Sequence, residues 1–559
     1  MKKFFPILLS ILLLFMFVAC GPNRTESDDE NSVPDMSTEI ESPNDAESDD
    51  KGEGEGDPEI PTEIESPFSD SVTAQNNNFY KDYPKEEKEL YYLLWAEDTQ
   101  VHVQVDITPH ELAKLEEAFE DYENNGRHDT TKIDTYRKCN LTITVNGVDY
   151  IYEEVGIRMR GNTSRRKFCD ADGNMYAFVH YRFSLSETFD GDEYEGDAWA
   201  NELLHDWSED SAGRKARKKR SFATMEKLYY KWFKTYDQTY VREIYANRMY
   251  RAYGILVPHI TLTQFSITQA GNMESLGVGG LYETIDKQFI KRNFDKANKG
   301  GDLYKCVATS GKADLARVEG YGIETATQRF NYTLKTNDDP EDFNNHKHII
   351  EFLTILQLPR AERFVTKLES MLDMDYFARF EAVNYLVGNP DCIRNNASNF
   401  YLYFTPEGQT YIIPYDYDRC FGINSDWNPS RDGMTSLKPY ELKTNYGTIT
   451  NPLYTKTILT GGMEKYQRMY QSRLREVLMG KWFTYENFMP LYEAYKATYD
   501  SLTMPSDHIV SGCGAYVKMN RFVFSEAGTN DYSSYVDNIS MKDYITAKRR
   551  VAKLNIDKI

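Results

Sequence analysis

The chain has 559 residues, with 87 Asp and Glu against 65 Lys and Arg and a formal net charge of −22. An acidic balance of that size speaks against a nucleic-acid partner, whose phosphates call for clustered lysine and arginine. The length exceeds what one hydrophobic core usually holds, so two lobes are expected.

The chain opens MKKFFPILLSILLLFMFVACGPN: two lysines, an apolar run from Phe4 to Val18 too short for a comfortable membrane span, then Ala19-Cys20-Gly21. This is the form of a bacterial lipoprotein signal over residues 1–19, with Cys20 as the lipidation site. It predicts an exported protein whose hold on the bacterial membrane or surface is its lipid anchor alone. Phe17, where a leucine is usual, keeps a plain secretory signal as the alternative. From Arg24 to Asp70 there are 18 Asp or Glu against 2 Lys or Arg, interspersed with Pro, Ser and Gly. So few large apolar side chains cannot offset the entropy of ordering, and residues 20–75 read as a self-repelling acidic tether. Without the tether the remainder is only mildly acidic. Six cysteines follow Cys20: Cys139, Cys169, Cys306, Cys392, Cys420 and Cys513. Their even number permits disulfides without selecting a pairing, and the lack of any CxxC or HExxH leaves a zinc site unsupported.

Residues 76–335 read as strand-rich. VHVQVDI alternates, PHELAKLEEAFEDY has helical spacing, and Asn146-Gly147 joins NLTITV to VDYIYEEVGIRMR as a hairpin. GIRMRGNTSRRK then runs a strand into Gly161, Asn162, Thr163 and Ser164 among Arg158, Arg160 and Lys167. Backbone amides, hydroxyls and cations at a glycine turn suit phosphate oxygens; a surface hairpin with solvated arginines is the bland alternative. The basic run GRKARKKR reads as a solvated insertion. A helix follows at TYVREIYANRMYRAYG, then strands at ITLTQFSI and GGLYE. Residues 336–559 are mainly helical, as in HKHIIEFLTILQL, DYFARFEAVNYLVG and KYQRMYQSRLREVLMGKWF.

Within that half, a helix ending at Gly388 leads into Asp391, Asn395, Asn396 and Asn399, and the strand YIIP runs into Asp416, Asp418 and Gly422. Carboxylates delivered by a buried strand are costly to desolvate unless a cation meets them. A loop aspartate ahead of an asparagine follows the logic of phosphoryl transfer, in which the acid orients an acceptor hydroxyl and the amide oxygen binds metal. An Asn-rich turn and a calcium or salt-bridged turn are the plainer readings.

In order along the chain, GIRMRGNTS, VRE, YETIDKQFIKRNF, GDLYK, YTLKTN, NFYLY and PYDYDRCFG together resemble the spore coat protein H (CotH) kinase family, from roughly Val101 to Arg549. The resemblance implies an α+β, bilobal protein kinase-like fold, with a β-rich N-terminal lobe over 76–335 and a mainly helical C-terminal lobe over 336–559. It implies ATP and Mg²⁺ (or Mn²⁺), with transfer of the γ-phosphoryl group to Ser or Thr of a surface or extracellular protein. Position by position, Asp391 matches the catalytic-loop acid, and Asp416, Asp418, Asn399 and Asn396 the metal ligands. Arg158, Arg160, Gly161, Asn162, Thr163 and Ser164 would lie over the phosphates, and Glu283 falls where the family is acidic. Tyr415 replaces the usual tryptophan. The phosphate-pairing lysine has no clear match, which leaves Lys167 and Arg182 as candidates. A catalytically inactive surface scaffold, or a glycan- or protein-binding lipoprotein that keeps the fold, is the second reading. In such a fold the two acidic loops lie side by side, which brings Cys392 and Cys420 into consideration as a disulfide, with two buried free thiols as the alternative.

Overall fold

The structure is a computed structural model, described over residues 83–126, 130–161, 165, 179–232, 237–269, 272–307, 312–316, 331–337, 346–423, 432–443, 450–503, 524–526 and 539–559. The expected signal, the tether, Cys20, Asn162, Thr163, Ser164 and Lys167 lie outside these residues, as do Cys169 and Cys513.

Seven strands close into a barrel: β1 (Val101–Asp106), β2 (Arg137–Val145), β3 (Val148–Arg160), β4 (His180–Ser184), β5 (Lys227–Lys231), β6 (Ile260–Gln269) and β7 (Asn272–Glu283). Their order is β1-β2-β3-β4-β5-β7-β6, and the parallel pairing of β1 with β6 shuts the ring. The predicted hairpin is present: Asn146 and Gly147 both take positive φ, 47° and 81°, between the paired Val145 and Val148. Alternation along β4 and β5 turns Tyr181 and Tyr230 inward, where both stack on Phe265 of β6 with ring centroids 5.5 and 3.9 Å apart. The same period-2 rule sends Arg158, Arg160, Arg182, Tyr229 and Lys231 to the outer face.

A second, fully antiparallel sheet has the order β11-β10-β8-β9, from β8 (Asp302–Cys306), β9 (Tyr332–Leu334), β10 (Phe400–Phe404) and β11 (Thr410–Pro414). Fourteen α-helices occur among the described residues. Six matter below: α1 (Lys85–Leu94), α2 (Arg242–Ala252), α3 (Met374–Val387), α4 (Glu464–Met479), α5 (Tyr485–Tyr499) and α6 (Met541–Asn555). Among the described residues no helix is long and apolar enough to cross a membrane.

The expectation of a bilobal kinase-like fold, a β lobe followed by a helical lobe, is therefore corrected. The first sheet has no open edge, because it closes on itself. The second sheet joins strands of the 302–334 region to strands of the 400–414 region, and one contiguous apolar core runs from Leu90 to Ile556. The hydrophobic patterns of single strands were legible, but barrel closure depends on a long-range pairing they do not encode. The basic run is also more engaged than a solvated insertion: Arg217 donates to the Glu154 carbonyl at 2.9 Å and Arg220 to the Leu185 carbonyl at 2.7 Å. Cys392 and Cys420 are buried free thiols, as are Cys139 and Cys306, so of the two readings for that pair the free thiols hold.

Candidate active site at the barrel face

Helix α3 is buried on nearly every side, and it stops at Gly388 with φ 64°. A Cβ built there would lie 2.0 Å from the Tyr544 hydroxyl of α6, so only glycine can end the helix at this spot. Beneath the loop that follows, Arg394 forms a fully buried ion pair with Glu381 of α3 at 2.5 Å and donates to the Pro439 carbonyl at 2.9 Å. The loop is thus tied to a helix on one side and to a later turn on the other.

Asp391 projects from this loop. Its Oδ1 accepts from Asn396 Nδ2 at 2.6 Å, its amide donates to Asn389 Oδ1 at 3.1 Å, and its carbonyl accepts from Asn399 Nδ2 at 3.0 Å. Asn389 Nδ2 also reaches the Asp416 carbonyl at 3.3 Å, which joins the loop before β10 to the turn after β11. Backbone strain gathers here: Ala397, Asn399, Asp416 and Phe421 all take positive φ, between 51° and 62°. Each such non-glycine residue costs roughly 1 to 3 kcal/mol, and it persists because the surrounding bonds leave it no alternative.

The cation that meets the two strand-end acids is one the sequence reading missed. Lys231, the last residue of β5, points from the outer barrel face into a nest of carboxylates. Its Nζ lies 3.3 Å from Glu243 of α2, 3.3 Å from Asp418, and in direct contact with Asp416. Burial works against the ammonium, but Asp416, Asp418 and Glu243 more than reverse this and hold it protonated. Glu243 links three elements: it accepts from the Tyr282 hydroxyl of β7 at 2.6 Å and from the Tyr417 amide at 2.9 Å, besides pairing with Lys231. Its neighbour Arg242, wholly buried, donates to the Phe421 carbonyl at 2.7 Å. One turn of α2 therefore clamps both ends of the Asp416–Phe421 turn. The available signal was a lysine at an alternating position of the strand KLYYK, just ahead of a helix that opens with Arg-Glu.

Arg160 joins this group from β3, its guanidinium 3.5 Å from the Tyr229 ring centroid and within the field of Asp416. Gly161 follows it with φ 109°, the turn expected there. Other expected residues lie elsewhere. Arg158 pairs with Asp134 at 2.8 Å and covers the Tyr136 ring. Arg182 stands between Arg158 and Tyr229 in the sheet register, on the outer barrel face that also carries Lys231. Glu283 is sealed into an ion pair with Arg292 at 2.7 Å, with Tyr91 and the His259 amide on its oxygens at 3.0 and 2.9 Å. It braces α1 and the barrel end and offers no oxygen to a nucleotide. Asn396 spends its oxygen on Lys312 and its amide nitrogen on Asp391. Of the two asparagines expected at a metal, Asn399 is the one whose oxygen stays available.

The donor chemistry fits a divalent cation. Asp416 and Asp418 both meet the protonated Lys231 amine, and Asn399, bonded to the Asp391 carbonyl, stands on the adjoining loop. Magnesium favours one or two carboxylates plus amide, water and phosphate oxygens. Burial raises the Asp391 carboxyl above the ordinary aspartate range and Asp416 and Asp418 add to the rise, while the Asn396 bond opposes it. The Asp416 and Asp418 charges reach Asp391, and a positive charge near all three relieves that repulsion.

A family model described as CotH kinase protein matches residues 204–509. The match spans Lys231, Glu243, Asp391, Asn399, Asp416 and Asp418, and begins beyond Arg158, Arg160 and Arg182. Among curated proteins none matches the chain.

Proposed function

The chain belongs to the CotH kinase protein family, and from that premise we propose that it transfers the γ-phosphoryl group of ATP to a Ser or Thr hydroxyl of another protein. The observation that carries this reading is the Lys231–Glu243 pair set against Asp416 and Asp418, within the field of Asp391. In protein kinases a strand lysine paired with a helix glutamate holds the nucleotide phosphates, and acids from two loops divide metal binding and acceptor orientation. Here Lys231 would take the α- and β-phosphate oxygens while Glu243 holds its ammonium in place. Arg160, beside Asp416, adds positive charge on the same side. Asp391, fixed by Asn396, is the base that accepts the proton of the acceptor hydroxyl. Asp416, Asp418 and the Asn399 oxygen would hold Mg²⁺ or Mn²⁺, which when bound neutralises phosphate charge.

On the same reading the acceptor is a surface or extracellular protein, because the opening segment has the form of a lipoprotein signal that would leave Cys20 lipidated. Cys20→Ser should then move the protein from the membrane fraction to the soluble one; retention after a salt wash removes the anchor from the proposal. The enzymatic reading is tested by incubating the purified chain with γ-labelled ATP and Mg²⁺ or Mn²⁺. Label on Ser or Thr of the chain or of added surface protein is expected, and lost in Asp391→Asn. Failure to bind nucleotide in the presence of either metal overturns it.

A further inference from the structure

One residue separates Asp416 from Asp418, and its side chain goes elsewhere. Both acids meet Lys231, whereas Tyr417 is buried in the apolar core. Tyr417 is held at two points: its amide donates to Glu243 of α2 at 2.9 Å, and its hydroxyl donates to Asn384 Oδ1 of α3 at 2.9 Å. The second contact has a definite sense. Asn384 Nδ2 donates to Glu381 Oε2 at 2.8 Å, and because a carboxylate only accepts, the amide oxygen is the atom that faces the tyrosine.

Glu381 and Asn384 are three positions apart, on one face of α3. Glu381 Oε1 pairs with Arg394, which lies just beyond Asp391 on the same loop, and its Oε2 also accepts from the Tyr454 hydroxyl at 2.7 Å. A single turn of α3 therefore holds the loop that carries Asp391 through Arg394 and the turn that carries Asp416 and Asp418 through Tyr417. Glu381, Asn384, Arg394 and Tyr417 are all at most 2% exposed, so a bond lost among them leaves a buried polar group without its partner.

We propose that Asn384 is a positioning residue that, through the Tyr417 hydroxyl, sets where Asp416 and Asp418 present their carboxylates to a divalent cation. The proposal rests on the reading given above for the place of that cation. Asp416 takes a φ of 62°, a conformation that an aspartate keeps only where its surroundings impose it. The two anchors on the next residue are such a constraint. With the Tyr417 hydroxyl tied to α3, the acids on either side of it keep their spacing whether Lys231 alone or a second cation meets them. Partners that orient metal ligands from behind are commonly worth about 10- to 100-fold in metal affinity.

Tyr250 supplies the comparison. Its hydroxyl donates to the same Asn384 oxygen at 3.2 Å, and its ring meets that of Tyr417 edge-on with centroids 5.2 Å apart, but neither acid of the turn is its neighbour in the chain. Tyr417→Phe and Tyr250→Phe each delete one hydroxyl from one oxygen and keep the ring. A role confined to packing and hydrogen bonding in the core predicts the same outcome for both.

The test measures Kd for Mn²⁺ in the presence of ADP by electron paramagnetic resonance, the Mg²⁺ concentration that gives half-maximal transfer, and Tm without metal. Tyr417→Phe should raise the Mn²⁺ Kd about tenfold and move the Mg²⁺ requirement by a similar factor, with most of kcat recovered at saturating Mg²⁺. Tyr250→Phe should lower Tm to a similar extent and leave both metal readings as in wild type. Asn384→Ala should reproduce the metal defect of Tyr417→Phe, and the double variant should show no further loss of metal affinity, since both changes break one contact. The two phenylalanine variants decide the matter even if Asn384→Ala does not fold. An unchanged Mn²⁺ Kd in Tyr417→Phe, or an equal rise in Tyr250→Phe, overturns the assignment and leaves the kinase reading intact. If wild type binds no Mn²⁺ with ADP, the metal reading itself fails and the assignment falls with it.

Discussion

Lys231 supplies the positive charge for three carboxylates at once, and it is buried along with Glu243. Removing one partner of a buried ion pair leaves the others without compensation and costs about 3 to 5 kcal/mol. Lys231→Met is therefore expected to lower stability by that amount and to lose nucleotide-dependent transfer by at least about 100-fold. Millimolar Mg²⁺ should restore part of the lost stability by replacing one cation with another. Denaturant titration with and without Mg²⁺ checks this, and a variant as stable as wild type in the absence of metal refutes the account of the nest. Asp391 has the opposite character. Its folded pKa lies above its unfolded value, chiefly through burial. The protonated form thus favours folding, its contribution is full below the unfolded pKa, and it is lost as pH rises through the folded value. Asp391→Asn removes that loss, and its amide oxygen can still accept from Asn396. The variant should be at least as stable as wild type at pH 7, with the difference shrinking toward pH 4, and inactive throughout. A variant clearly less stable than wild type at neutral pH contradicts the burial of a carboxylate there.

At the scale of elements, the site depends on how helices and strands are stopped. Gly388 ends α3 in the left-handed region directly under Tyr544, whose hydroxyl donates to the Leu386 carbonyl at 2.9 Å. Gly388→Ala adds a left-handed penalty of about 1 kcal/mol for a residue with a Cβ and drives that Cβ into the hydroxyl. The expected result is a lower Tm together with weaker transfer, because the helix end and the Asp391 loop shift as one. Gly388→Ala with Tyr544→Phe should lose less than the sum of the two single variants, since the second change deletes the clashing oxygen. Strict additivity in a double-mutant cycle excludes the contact as the cause. The β10–β11 hairpin is terminated in a similar way: Phe400 pairs with Pro414, and the left-handed Asn399 and Asp416 then turn both strands toward the barrel face.

For the whole molecule, the barrel is locked by a helix more than two hundred residues further along the chain. The Tyr499 hydroxyl at the end of α5 accepts from the Val101 amide at 2.8 Å and faces the Leu262 carbonyl at 2.8 Å, bridging the two strands whose parallel pairing closes the ring. Helix α4 packs against α3, and the larger of two apolar clusters takes in residues from both the barrel and the helical half. Halves that share a core in this way should unfold as one cooperative unit. Calorimetry of the intact protein is expected to give a single main transition, and residues 83–335 expressed alone should not form a stable barrel. Two well-separated transitions, or a folded fragment, would mean that the halves are independent.

The sequence by itself determined which local pieces exist. The Asn146-Gly147 turn, the amphipathic helices and the loops bearing Asp391, Asp416 and Asp418 were legible because their signals lie within a few residues of one another. The ordered motifs pointed to the family for the same reason, and the family match includes the acids they named. Only the tertiary structure decided which cation meets those acids. Lys231 is 185 residues from Asp416 in the chain, and it lies just after the basic run in a charged stretch that reads as a solvated insertion. Spatial separation likewise assigned Glu283 to Arg292 and Asn396 to Lys312, where motif position had suggested nucleotide and metal. Barrel closure was hidden for a related reason: strand periodicity says which face is buried, whereas the partner of an edge strand is selected by long-range packing, here through β6 and Tyr499.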